Sequence, residues 1–390
     1  MMMFALLSMC CAAGDAGVLP VQWDMARLSQ PPATYPAEGF AAEGVRALFY
    51  DALPFENKPT RVFAWMGIPD HPEGERVPGM VLVHGGGGTA YDEWVRIWNA
   101  RGYAAIAMDL DGTVPQGEHG SRPTHEFSGP TSFGGVTPMD GAKEDFWAYH
   151  AVADIALAHS LLASQAGVDP GRIGLTGISW GGFLTHIAAA VDTRFQFAIP
   201  VYGCGFINEI SWKPVFDAMP PEKAGEWIRL WDPSQYVAAI TIPTLWVNAA
   251  SDPHYYLGVY GRTYLRAGGT KTLSVQPGLG HSHQDGWAPK EIYAYADSKF
   301  KGGEPLIRIV AEAEEGDTAM AIFENGTPVK ADLVWTRDIS DWSACAWELV
   351  PATVQDNRVA VELPGDCAAY FINLTDSRGL ITSTVCRSRK

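Results

Sequence analysis

Beyond its first residues the sequence has no apolar run approaching the roughly 20 residues that a membrane helix needs. The body of the chain is therefore expected to be soluble, with no membrane span. Positive charge is also scarce. Against 44 acidic residues stand 28 basic ones, a formal net charge of −16, and such a surface argues against nucleic acid or an anionic membrane as partner. Cysteine is sparse, six in 390 residues, and no spacing is of the kind that holds zinc. Internal repeats and low-complexity tracts are missing. No Lys-Ser or Lys-Thr follows the glycines at 85–88, and no G-x-G-x-x-G opens a helix, which removes the common phosphate-cradling loops. What is left is an ordinary globular composition, 47% hydrophobic and 11% aromatic. The chain is long enough for one large catalytic domain and a smaller companion.

Residues 1–14 are apolar and end in Ala12-Ala13-Gly14. They resemble the apolar and cleavage regions of a secretory signal, without its positively charged start. Residues 1–17 are therefore read as an export signal and the location as periplasmic or secreted, with a cytoplasmic protein as the alternative. In an exported chain Cys345 and Cys367 are expected to pair, a bridge of a kind that contributes about 2–4 kcal/mol.

Strand-like runs at 60–65, 80–83, 104–108, 173–178, 197–201, 244–248 and 272–275 alternate with helix-like segments at 91–100, 144–164, 183–191, 255–267 and 289–300. Gly102 and Gly268 fall where helix C-caps are expected. This alternation predicts an α/β domain over 18–302, a doubly wound, mostly parallel sheet with helices on both faces and its ligand site beyond the carboxyl ends of the strands. Residues 205–235, rich in Trp, Pro and charge, interrupt the alternation and read as a cap. After Lys301-Gly302-Gly303 the character changes to short β-rich runs at 306–310, 318–323, 332–336 and 368–374, divided by Gly, Asn, Asp and Pro. That spacing predicts a small C-terminal β-sandwich over 305–390, either a packing module or one that binds polysaccharide.

Residues 174–184, GLTGISWGGFL, stop an apolar run at a serine surrounded by glycines. Ser179 therefore stands at a strand-to-helix turn, and Gly177-x-Ser179-x-Gly181 matches the nucleophile elbow. A serine hydroxyl is a weak nucleophile and needs a base, an orienting acid and an anion pocket. Asp252 lies just past the run at 244–248, and His281 follows the run at 272–275; the order Ser179, Asp252, His281 is the one this type of site uses. Gly280-His281-Ser282-His283 offers two imidazoles. His281 is read as the base and His283 as a loop brace or substrate contact. His84-Gly85-Gly86-Gly87-Gly88-Thr89 runs straight off a strand, so Gly86 or Gly87 is expected to give one oxyanion donor and the Trp180 N–H the other. His84 reads as a loop brace. Trp94, Trp98, Trp180 and Trp212, with Tyr202, are expected near the serine, where Tyr202 and Trp212 are candidate substrate contacts. None of this chemistry calls for a cofactor or a metal.

These motifs, HGGGGT at 84–89, RGYAAIAMD at 101–109, GISWGG at 177–182, the Asp252 region and GHSH at 280–283, resemble the α/β-hydrolase superfamily. More narrowly they are similar to bacterial serine esterases grouped with acetylxylan esterases, dienelactone hydrolases and prolyl-peptidase-like (S9 or S15) enzymes. The resemblance covers about residues 45–302. It implies hydrolysis of small acyl esters, acetyl foremost, of a small molecule or carbohydrate through an acyl-enzyme. Dienelactone hydrolases proper use a cysteine nucleophile, so their lactone chemistry is not implied by Ser179. The alternatives are a prolyl-type peptidase, which would need an anchor for a peptide amine, and a non-catalytic carbohydrate-binding protein.

Overall fold

Met80 to Val83, Tyr103 to Met108 and Leu245 to Val247 are buried without interruption. Strands of this kind lose both faces to packing, which is why they read as continuous apolar runs and not as alternations. In the computed structural model, which describes residues 18–131 and 135–389, they lie inside one nine-stranded sheet. Its strands are β1 (Thr34–Pro36), β2 (Arg46–Asp51), β3 (Arg61–Gly67), β4 (Val77–Val83), β5 (Ala104–Met108), β6 (Val168–Ile178), β7 (Ala198–Val201), β8 (Thr244–Ala249) and β9 (Lys271–Gln276). The order across the sheet is β1-β2-β3-β5-β4-β6-β7-β8-β9. The pairs from β5 to β9 are parallel, while β1, β2 and β3 join antiparallel. Thus β6 is central, between β4 and β7, and β9 is an edge.

The export signal expected over residues 1–17 lies outside the described residues. The antiparallel strands β1 and β2 went unread in the sequence, because 34–36 and 46–51 are short and mixed in polarity. The helix expected over 144–164 is a three-residue turn, Lys143–Asp145, followed by a helix over Trp147–Ala163. The break is at Phe146, which is extended (φ −82°, ψ 143°) and stacks on Trp231 at 5.3 Å. At the end of the Leu257–Arg266 helix it is Gly269 (φ +66°), not Gly268, that adopts the left-handed conformation. Within 205–235, the helices Lys213–Asp217 and Pro221–Trp231 follow β7, and the second buries its own Trp227 and Trp231. No described helix is long and apolar enough to cross a membrane.

Beyond residue 305 the strands are β10 (Arg308–Glu315), β11 (Thr318–Glu324), β12 (Lys330–Thr336), β13 (Glu348–Pro351), β14 (Thr353–Gln355), β15 (Arg358–Glu362), β16 (Ala369–Thr375), β17 (Ile381–Ser383) and β18 (Arg387–Ser388). They form two antiparallel sheets, β10-β11-β15-β14 and β13-β12-β16-β17, with β18 beside β16. The period of two along a strand explains how they pack. Leu333, Trp335, Tyr370 and Ile372 point to one side, where they meet Ala319, Ala321, Phe323 and Val359 of the other sheet. Val334 and Phe371 point to the opposite side and join the core of the nine-stranded sheet. The β12–β16 sheet is therefore covered on both faces. The expected Cys345–Cys367 bridge is absent: the Cys345 thiol donates to the Asp338 carbonyl, and the Cys367 thiol, buried beside β16, donates to the Ala369 carbonyl.

Candidate active site

The glycines around Ser179 are required by backbone contact. A Cβ on Gly177 would sit 2.2 Å from the Gly181 carbonyl oxygen, and one on Gly181 would sit 2.0 Å from the Val83 oxygen. Only bare backbones let β6, the following helix and β4 approach so closely. The turn between them forces Ser179 to φ +58°, ψ −115°, a conformation that costs on the order of 1–3 kcal/mol and persists only where packing over-determines it. The Ser179 N–H donates to Val201 on β7 and its carbonyl accepts from Phe183, which locks the turn.

Three strand ends converge here. Ser179 Oγ donates to His281 Nε2 (2.9 Å), and His281 Nδ1–H donates to Asp252 Oδ2 (2.7 Å). The second oxygen of the buried Asp252 accepts from the backbone N–H groups of His254 (2.8 Å) and Tyr255 (2.7 Å). Three donors thus hold the carboxylate in the geometry that fixes the tautomer of His281. The Tyr202 ring lies 4.3 Å from the His281 ring, and its hydroxyl donates to the Gly280 carbonyl (2.6 Å). Fully buried, with its phenol pushed upward by that burial, Tyr202 supports the base loop and does not reach the cleft. Its candidate role as a substrate contact is therefore replaced by a bracing one.

The second imidazole has a different setting. His283 Nε2 accepts from the Gly85 N–H (2.8 Å), so its proton is on Nδ1, facing the Tyr91 hydroxyl at 3.2 Å. Burial, and then the neighbouring His84, His119, His281 and Arg122, push it down to about 3; it is a neutral strut between the glycine loop and the base loop. His84 does the same on the other side. Its Nε2 accepts from Leu110 N–H and its Nδ1–H donates to the Gly85 carbonyl.

A cleft of about 610 Å³ opens above Ser179, lined among others by Gly86, Trp180, Trp212, Val215, His254 and His283. Trp180 begins the helix after the serine, so its N–H has no intrahelical acceptor and stands at the positive end of the helix dipole. Gly86 packs on the Trp180 indole, where a Cβ would be 2.8 Å from Cδ1. Gly87 turns away at φ +64°, gives its carbonyl to Arg122 and lines a neighbouring cavity. Of the two expected donors, Gly86 is the one beside the cleft. Trp212 forms its aromatic wall, 5.3 Å from Trp180 and 5.6 Å from His254. Trp94 and Trp98 are core residues packed on Trp287 and Tyr293, not cleft residues. His119, Val136, Ser211, Val215 and His254 line the cleft unforeseen. Ser211 and Val215 stand in the 205–235 segment read as a cap and His254 two residues past Asp252, which are signals that could have found them; His119 and Val136 carried none.

Residues 34–216 match the acetyl xylan esterase family, and residues 212–341 match the family of PhoPQ-activated pathogenicity-related proteins. The first match contains Ser179 and the second Asp252 and His281. Over 207 residues the chain is 26% identical to the uncharacterised peptidase YuxL of Bacillus subtilis (strain 168), a stretch that is 49% of this chain and 28% of that protein. The chain thus spans just over a quarter of the length of this curated relative. Among solved structures, the acetyl xylan esterase from Paenibacillus sp. R4 superposes with a TM-score of 0.54 at 18% identity, covering 71% of this chain and 92% of that one. The acylaminoacyl peptidase of Pyrococcus horikoshii superposes at 0.50 and 19% identity, over 70% of this chain and 43% of that one. This architecture is the α/β-hydrolase fold, and residues 34–216 within it match the acetyl xylan esterase family.

Proposed function

We propose that this protein is a serine carboxylic ester hydrolase that removes small acyl groups, acetyl foremost, from a carbohydrate or other small alcohol. The observation that carries the reading is the hydrogen-bonded line Ser179–His281–Asp252 at 2.9 and 2.7 Å beneath an open cleft. In the reaction Ser179 Oγ attacks the ester carbonyl while His281 Nε2 takes its proton, and Asp252 stabilises the resulting imidazolium. Charge developing on the carbonyl oxygen is met by the N–H groups of Trp180 and Gly86. Collapse releases the alcohol, which takes its proton from His281. Water, activated by the same imidazole, then frees the acid from the acyl-enzyme. The half-buried aromatic wall at Trp212 supports a sugar ring on the alcohol side. An exported location, periplasmic or secreted, is proposed from residues 1–14 alone.

The test is hydrolysis of p-nitrophenyl acetate by wild type and Ser179→Ala. The variant is expected to lose about 10⁴-fold or more in kcat with an unchanged melting temperature; comparable turnover would refute the mechanism. The likeness to a peptidase makes a proline anilide the second substrate to assay. Cleavage of the anilide in preference to the acetyl ester would replace the esterase reading with a peptidase one.

A further inference from the structure

Ser179 belongs to the central strand of the sheet, but Asp252 and His281 follow β8 and β9, the last two strands at one side. An edge strand presents unpaired backbone groups and is held less firmly than a central one. Here that side is covered by the C-terminal sheets. The Val275 N–H on β9 donates to Ser383 Oγ (2.8 Å), and the Val275 carbonyl accepts from Asn373 Nδ2 (3.2 Å). Ser383 Oγ in turn donates to Asn373 Oδ1 (2.6 Å), which closes the ring.

The loop that carries Asp252 is held in the same way, at the residues next to the acid. The Trp347 indole N–H lies 3.2 Å from the Ala250 carbonyl and 3.1 Å from Ser251 Oγ, while Ser251 Oγ donates to the Cys345 carbonyl (3.1 Å). Ser251 is the residue before Asp252. Past the acid, Trp342 packs on Gly258, where a Cβ would stand 3.1 Å from Cζ2. The Trp347 ring sits edge-on to Phe371 at 5.3 Å, and Phe371 is fully buried in the core that the β12–β16 sheet shares with the nine-stranded sheet. The grip on residues 250–258 is thus fastened to the centre of the C-terminal module and not to a loose loop.

We propose that the C-terminal sheets are part of the catalytic apparatus and that Trp347 is a positioning residue. Through Ala250 and Ser251 it sets where the Asp252 carboxylate meets His281. The proposal rests on the esterase reading above, and gives the module a task other than packing or binding polysaccharide. A displacement of the carboxylate by a fraction of an ångström acts directly on the imidazolium of the transition state, whereas of the cleft's lining this loop supplies only His254, so the effect belongs chiefly in kcat and little in KM.

The experiment uses the full chain with Trp347→Phe, which keeps a ring against Phe371 and loses the N–H, and Ser251→Ala, which removes the hydroxyl between the two segments. Active sites are titrated with a fluorophosphonate, and kcat for p-nitrophenyl acetate is expressed per titrated site, so that misfolded molecules do not count. Trp347→Phe is expected to lower this kcat about tenfold with KM within about twofold, and Ser251→Ala to lower it about threefold. A kcat per titrated site within about twofold of wild type for Trp347→Phe would overturn the proposal, however far the melting temperature or the active fraction fell. That is the outcome of a purely structural contact. Ser179→Ala is assayed alongside: if it turned over like wild type, the esterase reading would fall and this proposal with it, whereas an inactive Ser179→Ala beside an unimpaired Trp347→Phe removes the positioning role alone.

Discussion

The nine-stranded sheet and the C-terminal sheets both place non-glycine residues in left-handed conformations, but in different company. Among the described residues beyond 305 these are Asn325 and Asp356, at turns between strands and of the residue types that tolerate the conformation. In the larger region Glu56 and Asn57 adopt it in the tight turn closed by Phe55 and Lys58, and Ser179, Tyr202 and Phe206 adopt it near the cleft. Of these last, Ser179 is the proposed nucleophile, Tyr202 supports the loop that carries His281, and Phe206 follows β7 next to the cap helices. A bulky or β-carbon-bearing residue held there is strain that neighbouring packing must sustain. The lesson is that, outside the Glu56-Asn57 turn, strain in the larger region gathers at the proposed site, whereas the smaller region is built with the residues its turns prefer. The same division appears in titratable groups, since all ten histidines precede residue 302. Yet the two regions are joined, through Val334 and Phe371 in a common core and through Trp347 at the acid loop.

The largest effect expected to sharpen this comparison is within the larger region, between its two neighbouring imidazoles. His281→Ala should lower kcat by about 10⁴-fold, and His283→Ala by about tenfold through loosening of the Gly85 loop. Steady-state kinetics on one acetyl ester decides it. A dead His283→Ala beside an active His281→Ala would reverse the assignment of base.

Acid should weaken the larger region first. Burial pushes His186 and His283 down to about 3, and His150 and His159 to about 4. Below about pH 6.5 the unfolded chain takes up a proton on each of them while the folded chain does not, so stability is present above that pH and lost as pH falls. Each contributes a loss of roughly 2 kcal/mol by pH 5. Asp154 and Asp232, raised by burial, work in the opposite direction and offset part of it. In the smaller region the Glu312 carboxyl is likewise raised by burial, which favours the folded state as pH falls. The melting temperature is expected to drop between pH 7 and pH 5, with hydrogen exchange rising more over 18–302 than over 308–388. A flat or rising melting temperature would contradict the sign.

A smaller contrast is set by space. Gly181→Ala would drive a methyl to 2.0 Å from the Val83 carbonyl, whereas nothing lies within 4 Å of a Cβ on Gly365. The first is expected to cost about 3 kcal/mol or more by denaturant unfolding, and the second to stay within about 0.5 kcal/mol. Equal effects would mean that the elbow is not tightly packed.

What was legible in the sequence was what local pattern dictates. Buried parallel strands appear as apolar runs, so 104–108 was read with the bounds that the structure gives to β5. The elbow was legible because contact between backbones leaves glycines at fixed spacing. Tyr202 was misread because its side-chain direction is set by a left-handed backbone after β7, which adjacency in sequence does not reveal. The expected cysteine pair failed for a similar reason: nearness along the chain says nothing of where the 338–347 loop and the end of β16 stand. Trp347 was invisible as a partner of the acid loop, since the contact joins residues 97 positions apart through the packing of two separate sheets.

The most direct measurement is the site of acylation. Wild type quenched in acid during turnover of p-nitrophenyl acetate, then digested and mapped by mass spectrometry, is expected to carry an acetyl group on Ser179 within the peptide that includes Trp180. Ser179→Ala treated in the same way should carry none. An acetyl group on a different residue in molecules that turn over at the full rate, or full turnover by Ser179→Ala, would contradict the account.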